Sequence, residues 1–151
     1  MSVRVKLPVG QGLHPAVWLL GTDISSVGYP NSGEIDIVET INQADRWTTG
    51  IHGPSASGLH WKLNQGGSMP STLDGFHIFS VTRAPGSITM AVDGIPVVTY
   101  APDMLSPGQL WVFDKPMYLL INLAVGGTWP GPLDPAVLPA RMEVDWIRYQ
   151  P

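Results

Sequence analysis

Cysteine is absent from the 151 residues, so disulfides, zinc–thiolate centres and cysteine nucleophiles are excluded, and composition says nothing about the redox compartment. Cations are scarce too. Eight Lys and Arg against twelve Asp and Glu leave a formal charge of −4, with no basic stripe to neutralise a phosphate backbone or an anionic bilayer surface. Neither nucleic acid nor a membrane is an expected partner. No window approaches the roughly 18 consecutive apolar residues of a membrane-spanning helix. Met1 to Leu7 alternates polar and apolar residues where a signal h-region would be continuous, so no targeting segment is expected from it.

Turn formers are plentiful instead. Seventeen glycines and fifteen prolines are scattered without a period, which excludes collagen and disfavours a helical bundle. Apolar residues make up 44% of the chain, enough for a sizeable core, and the length fits one domain. Period-two alternation at Val3–Leu7, Phe76–Arg83 and Ser87–Val92 predicts half-buried antiparallel strands. Asp93-Gly94 joins the last of these to Ile95–Tyr100 as a tight hairpin. Ala16–Leu20 and Met117–Leu123 are nearly continuously apolar and suit strands covered on both faces. The expected fold is an all-β antiparallel sandwich. In its last strand, Arg141–Tyr149, regular alternation puts Met142, Val144 and Trp146 on one face and Glu143, Asp145 and Ile147 on the other.

Only three glutamates occur, and two of them fall within Gly33-Glu34-Ile35-Asp36-Ile37-Val38-Glu39. In an unbroken strand Glu34 and Asp36 share a face and Glu39 points away. One extra residue bulging out at Ile37 or Val38 would reset the alternation and bring Glu39 back to the acidic face. Four effective strand steps then separate the glutamate Cα atoms by about 13 Å, and inward-leaning side chains bring the carboxyl groups to about 5–6 Å. Retaining glycosidases use that gap, with one carboxylate ionised to attack and its partner protonated to assist the leaving oxygen. Asp36 between them would share a proton or hydrogen bond and separate their titrations. The same letters also fit a solvated acidic face or half of a calcium site.

The spacing Glu-x-Asp-x-x-Glu, together with Leu7-Pro8-Val9-Gly10-Gln11-Gly12-Leu13, His52-Gly53-Pro54 and Asn122-Leu123-Ala124-Val125-Gly126-Gly127-Thr128-Trp129-Pro130-Gly131, resembles the laminarinase-like family 16 glycoside hydrolases. The likeness runs over essentially the whole chain. It implies a concanavalin-like jelly roll that hydrolyses β-1,3 or mixed 1,3/1,4 glucan with retention, acting endo, outside the cell, and with no required cofactor. By that resemblance Glu34 matches the nucleophile, Asp36 the assisting carboxylate and Glu39 the general acid/base. Asp145 matches a position that helps hold a structural calcium in relatives, but its co-ligands there belong to strands upstream of Val3, so an intact calcium site is not expected here.

Two departures from the family pattern stand out. Its usual tryptophans are replaced by His14 and Tyr29, which keeps an aromatic face at Tyr29 and loses one at His14. Strands that family members carry before Val3 have no counterpart, so residues 1–151 read as a truncated single domain with uncovered sheet edges, either monomeric or associating through those edges. Alternatives to an enzyme are a non-catalytic β-glucan-binding jelly roll and an inactive fragment.

Sugar rings present apolar C–H faces, so aromatic platforms are sought beside the carboxylates. Trp129, between Gly126-Gly127 and Pro130-Gly131, is expected on a cleft loop. Trp18 and Tyr29 are further substrate-binding candidates, and Trp47 could sit beside the cleft. Trp61, Trp111 and Trp146 are read as packing or surface residues. His52, one strand after the acidic segment, could bond a carboxylate or a sugar hydroxyl, and Asn122 interrupts an apolar run with an amide that needs partners.

Overall fold

A computed structural model describes residues 1–68 and 75–150. Alternating segments become strands wherever their apolar side finds a facing layer. The first sheet holds β1 (Ser2–Lys6), β6 (His77–Ala84), β7 (Ser87–Val92), β8 (Ile95–Tyr100) and β10 (Glu143–Arg148). The second holds β2 (Leu13–Gly21), β3 (Glu34–Glu39), β4 (Arg46–Pro54), β5 (His60–Ser68) and β9 (Met117–Val125). Their orders are β10-β1-β6-β7-β8 and β5-β4-β3-β2-β9, with antiparallel pairing throughout. Between them Val3, Val5, Phe79, Val81, Ile88 and Met90 meet Val17, Leu19, Ile35, Val38 and Ile51 in one core. The expected sandwich is therefore present. Its tightest turn is also as expected, with Asp93 and Gly94 at φ of 49° and 81°, where a side chain costs little on Asp and nothing on Gly.

Three local features depart from simple alternation. On β10, Val144 pairs with Val5 and Trp146 with Arg4, so Asp145 is an extra residue and the two-face reading of this strand fails. Val144 and Ile147 instead share the side of the core-facing Val5 and Val3, while the Trp146 ring lies under the Arg148 guanidinium. Trp47 is not beside a cleft but 7% exposed in the core, where Gly67 on β5 makes room: a Cβ there would lie 2.4 Å from the indole. β5 itself escaped the periodicity reading, because only Trp61 and Leu63 mark its inner side and the rest is polar or Gly.

Among the described residues, β9 and β10 have a paired neighbour on one side only. A groove bordered by Ile121, Leu123, Met142 and Val144 runs between these two free edges.

Candidate active site

The acidic segment carries the irregularity its spacing demands. Across β2, Val17 faces Val38 and Trp18 faces Asp36, which leaves Ile37 without a partner. Across β4, Asp36 faces Gly50 and Glu39 faces Thr48, three steps of β3 against two of β4. Ile37 and Val38 both enter the core, at 3% and 0% exposure, so β3 buries two consecutive apolar side chains at the bulge. Glu39 then lies opposite Ala16, on the same face as Trp18 and its partner Asp36. The Thr49 hydroxyl donates to the Asp36 carbonyl at 2.6 Å, and the Tyr100 hydroxyl donates to the Thr49 carbonyl at 3.2 Å, which ties the bulge to the opposite sheet.

Imidazoles flank the three carboxylates. His52 Nε2 lies 3.0 Å from Asp36 Oδ2 and 3.9 Å from Glu34 Oε1. This contact is an ion pair in distance without an aligned N–H···O, and among the described residues Asp36 Oδ2 has no other hydrogen-bond partner. On its far side His52 Nδ1 meets His60 Nε2 at 2.8 Å, with the rings stacked, and the Tyr29 hydroxyl reaches both nitrogens at 3.3 and 3.1 Å. At the other end of the acidic row His14 Nε2 lies 2.8 Å from Glu39 Oε1. Ligand atoms of Glu34, Asp36 and His52 fall within 4.8 Å of one another, and they are the one group of three or more such side chains close enough to hold a cation among the described residues.

Titration follows from this crowding. Burial, followed by the Asp36 charge, pushes Glu34 up to about 7, with His52 pulling the other way. Asp36 is raised by burial, against the pull of His52. Burial opposes a charge on His52, but Asp36, Glu34 and Glu39 outweigh it and raise its pKa. Asp36 and His52 therefore titrate as a coupled pair, both raised. His60 is lowered, by burial and then by His52 and Lys62, so it faces His52 as a neutral ring. Burial and the three carboxylates also push the Tyr29 hydroxyl up, which keeps it a hydrogen-bond donor.

Comparison with known proteins places the chain in a family. Residues 1–148 match the profile of glycosyl hydrolases family 16. The chain belongs to that family. A beta-glucanase of Rhodothermus marinus is 31% identical over 97% of this chain and 55% of its own length. A keratan-sulfate endo-1,4-beta-galactosidase of Sphingobacterium multivorum is 31% identical over 98% of this chain and 35% of its own length. The X-ray structure of an endo-beta-1,3-glucanase from Pyrococcus furiosus superposes with a TM-score of 0.86 at 39% identity, covering 95% of this chain and 57% of that one. This family 16 chain thus spans about a third to three-fifths of the length of these relatives.

Within the family 16 chain, the other expected site residues fall as follows. Trp18 donates its indole N–H to Asn122 Oδ1 at 2.7 Å, so these two candidates partner each other on the outer face of β2 and β9. Trp129 is 48% exposed and presents its ring edge-on to His14, with centroids 5.0 Å apart. Tyr29 is exposed and His52 central, as described. Asp145 lies on the other sheet, paired with Arg4, and among the described residues it joins no group of three ligating side chains. Trp61 is core, donating to the Pro54 carbonyl and packing edge-on against Phe113. Sequence reasoning missed His60, Lys62 and Asn64 on the outer side of β5, and the contact of His14 with Glu39. Their alternation with Trp61 and Leu63 was the available signal. Asn64 Oδ1 lies over Gly50, where a Cβ would come within 2.5 Å, so a larger residue at 50 would push Asn64 off the carboxylate row.

Proposed function

We propose that this chain is the catalytic part of a retaining, endo-acting β-glucanase that cleaves β-1,3 or mixed 1,3/1,4 glucan outside the cell. The observation that carries the reading is the Ile37 bulge, which gathers Glu34, Asp36 and Glu39 on one outward face beside Trp18 and Trp129. The chemistry runs in two displacements. Glu34 as carboxylate attacks the anomeric carbon while Glu39 gives its proton to the departing glycosidic oxygen, leaving the sugar esterified to Glu34. Water then attacks that carbon, Glu39 takes its proton, and Glu34 departs as carboxylate. Asp36 and His52 lie beside Glu34 and offset charge as it forms and disappears. The family membership and the endo-beta-1,3-glucanase fold neighbour support β-glucan as substrate, and the Trp129 and Tyr29 rings supply apolar faces for sugar C–H surfaces.

Reducing-sugar release from laminarin by the wild-type chain, Glu34→Gln and Glu39→Gln tests this. Both variants are expected to lose more than about 10³-fold. Equal activity in all three would overturn the assignment, as would proton NMR showing the α-anomer released first. Because one relative is a keratan-sulfate galactosidase, keratan sulfate belongs in the substrate panel. Release from it alone would replace glucan with a galactose-containing glycosaminoglycan.

A further inference from the structure

We propose that Glu34, Asp36 and His52 bind a divalent transition cation of the Zn²⁺ class, with His60 orienting the ligating imidazole, and that the bound ion silences the chain by occupying Glu34. Binding of the ion stands on the geometry of these four side chains. Only its effect on turnover rests on the retaining reading above.

One ligand atom from each of Glu34, Asp36 and His52 lies within 4.8 Å of the other two. His52 Nε2 is 3.0 Å from Asp36 Oδ2 and 3.9 Å from Glu34 Oε1. A tetrahedral ion with bonds of about 2.0–2.2 Å keeps its ligand atoms about 3.3–3.6 Å apart, so these two separations bracket what it needs. Strand register puts the atoms there. Glu34 pairs with His52 across β3 and β4, and Asp36 pairs with Gly50 two residues along, so the three side chains share one outer face.

An independent observation points into the same space. Asp36 is 3% exposed, and among the described residues its Oδ2 is buried without a hydrogen-bond partner, since the His52 contact is not an aligned N–H···O. A buried carboxylate oxygen in that state lacks the compensation that burial of charge requires, and coordination of a cation is one of the few ways to supply it. Among the described residues, the ion pairs of Glu34 and Asp36 are both with this one imidazole, and no ammonium or guanidinium joins them. A dication would balance the two carboxylates.

The donor set selects the metal. Ca²⁺ and Mg²⁺ call for shells made up of oxygen, whereas an imidazole nitrogen beside two carboxylate oxygens suits Zn²⁺ and its neighbours in the first transition row. Three protein ligands leave a fourth position, and Glu34, with 19% of its side chain exposed, opens that position to water.

The imidazole is prepared from behind. With Nε2 on the ion, the Nδ1–H of His52 donates to His60 Nε2, 2.8 Å away. Such a partner fixes the tautomer and ring direction of a ligating histidine. The Tyr29 hydroxyl meets both rings, at 3.3 Å from His52 and 3.1 Å from His60. Glu39 stays outside the group, 2.8 Å from His14 at the other end of the acidic row. The ion therefore ties up the attacking carboxylate and leaves the acid/base residue untouched, which makes it a reversible stop.

Calorimetric titration with Zn²⁺ in neutral buffer, and the visible absorption of Co²⁺ put in its place, test the site without turnover. One ion is expected per chain, with the intense bands of tetrahedral Co²⁺ and no heat from Mg²⁺. His60→Ala should weaken Zn²⁺ binding by about 10-fold or more, and His52→Gln, which removes a ligand, by about 100-fold or more. Glu39→Gln should bind as wild type does. His60 is exposed, so His60→Ala keeps the test open if His52→Gln fails to fold. Zn²⁺ affinity unchanged in folded His52→Gln or His60→Ala, or lost in Glu39→Gln, overturns the site. On laminarin, Zn²⁺ should abolish reducing-sugar release at the concentrations that fill the site, and EDTA should restore it. Full turnover with the site filled overturns the silencing. A chain that binds Zn²⁺ in this pattern and releases no sugar even in EDTA would sink the hydrolase reading and leave the ion site standing.

Discussion

His52 Nε2 stands 3.0 Å from Asp36 Oδ2, and the same nitrogen lies 3.9 Å from Glu34 Oε1. One imidazole therefore faces both the buried Asp36 carboxylate and Glu34. Its positive charge counteracts the burial and the Asp36 repulsion that hold Glu34 protonated up to about 7. The acidic limb of kcat/KM on laminarin is expected near pH 7, where Glu34 ionises. In His52→Gln that limb should move upward by about one unit, because the favourable charge is gone while burial remains. A pH–rate series on both proteins reads this directly, and a limb moving to lower pH would contradict it.

The same titration has a consequence for stability. A carboxyl whose pKa is raised on folding favours the native state while protonated, so its contribution is full below the unfolded value near 4.5 and is lost as pH rises through about 7. After allowance for solvent screening this amounts to about 2 kcal/mol. Glu34→Gln should therefore melt about 4–8 °C above wild type at pH 8 and close to it at pH 4.5. Thermal unfolding at the two pH values checks both sign and window.

Gly21 ends β2 against the start of the acidic segment, with its N–H donating to the Gly33 carbonyl at 3.2 Å. A Cβ there would lie 2.1 Å from the Ser32 carbonyl oxygen, a backbone atom that cannot rotate away. Gly21→Ala is expected to cost about 2–3 kcal/mol and to displace Glu34, two residues beyond Ser32. Both the melting temperature and laminarin turnover should fall together, and a stable, fully active variant would refute the packing argument.

Trp129 offers an exposed ring beside the acidic row. If it binds a sugar face in ground and transition states alike, Trp129→Ala should raise KM on laminarin about tenfold. Because the ring also braces His14, a smaller drop in kcat is expected with it. Steady-state kinetics separates the two, and an unchanged KM would remove Trp129 from the sugar-binding surface.

How much of this was legible beforehand depends on the range over which each feature is decided. The Asp93-Gly94 hairpin and its flanking strands are encoded by neighbours in the chain, since turn chemistry and period-two alternation are local properties. The acidic face is nearly so: Glu34, Asp36 and Glu39 can share a side only if one residue between them is extra, and Ile37 is that residue. β5 was hidden because one flank of it meets the core through just Trp61 and Leu63, leaving glycine and polar residues to mask its period. The β10 bulge was hidden because pairing with β1, more than a hundred residues earlier, decides which residue is left over.

Sequence alone thus determined that two sheets form and that three carboxylates can line one of them, because alternation of apolar side chains and the one-residue offset of Glu39 are local properties of the chain. Only the tertiary structure decided which imidazole meets which carboxylate. His14 reaches Glu39 and His52 reaches Asp36 through the registers of β2, β3 and β4, and a register is chosen by the whole interleaved core, not by the residues that end up touching.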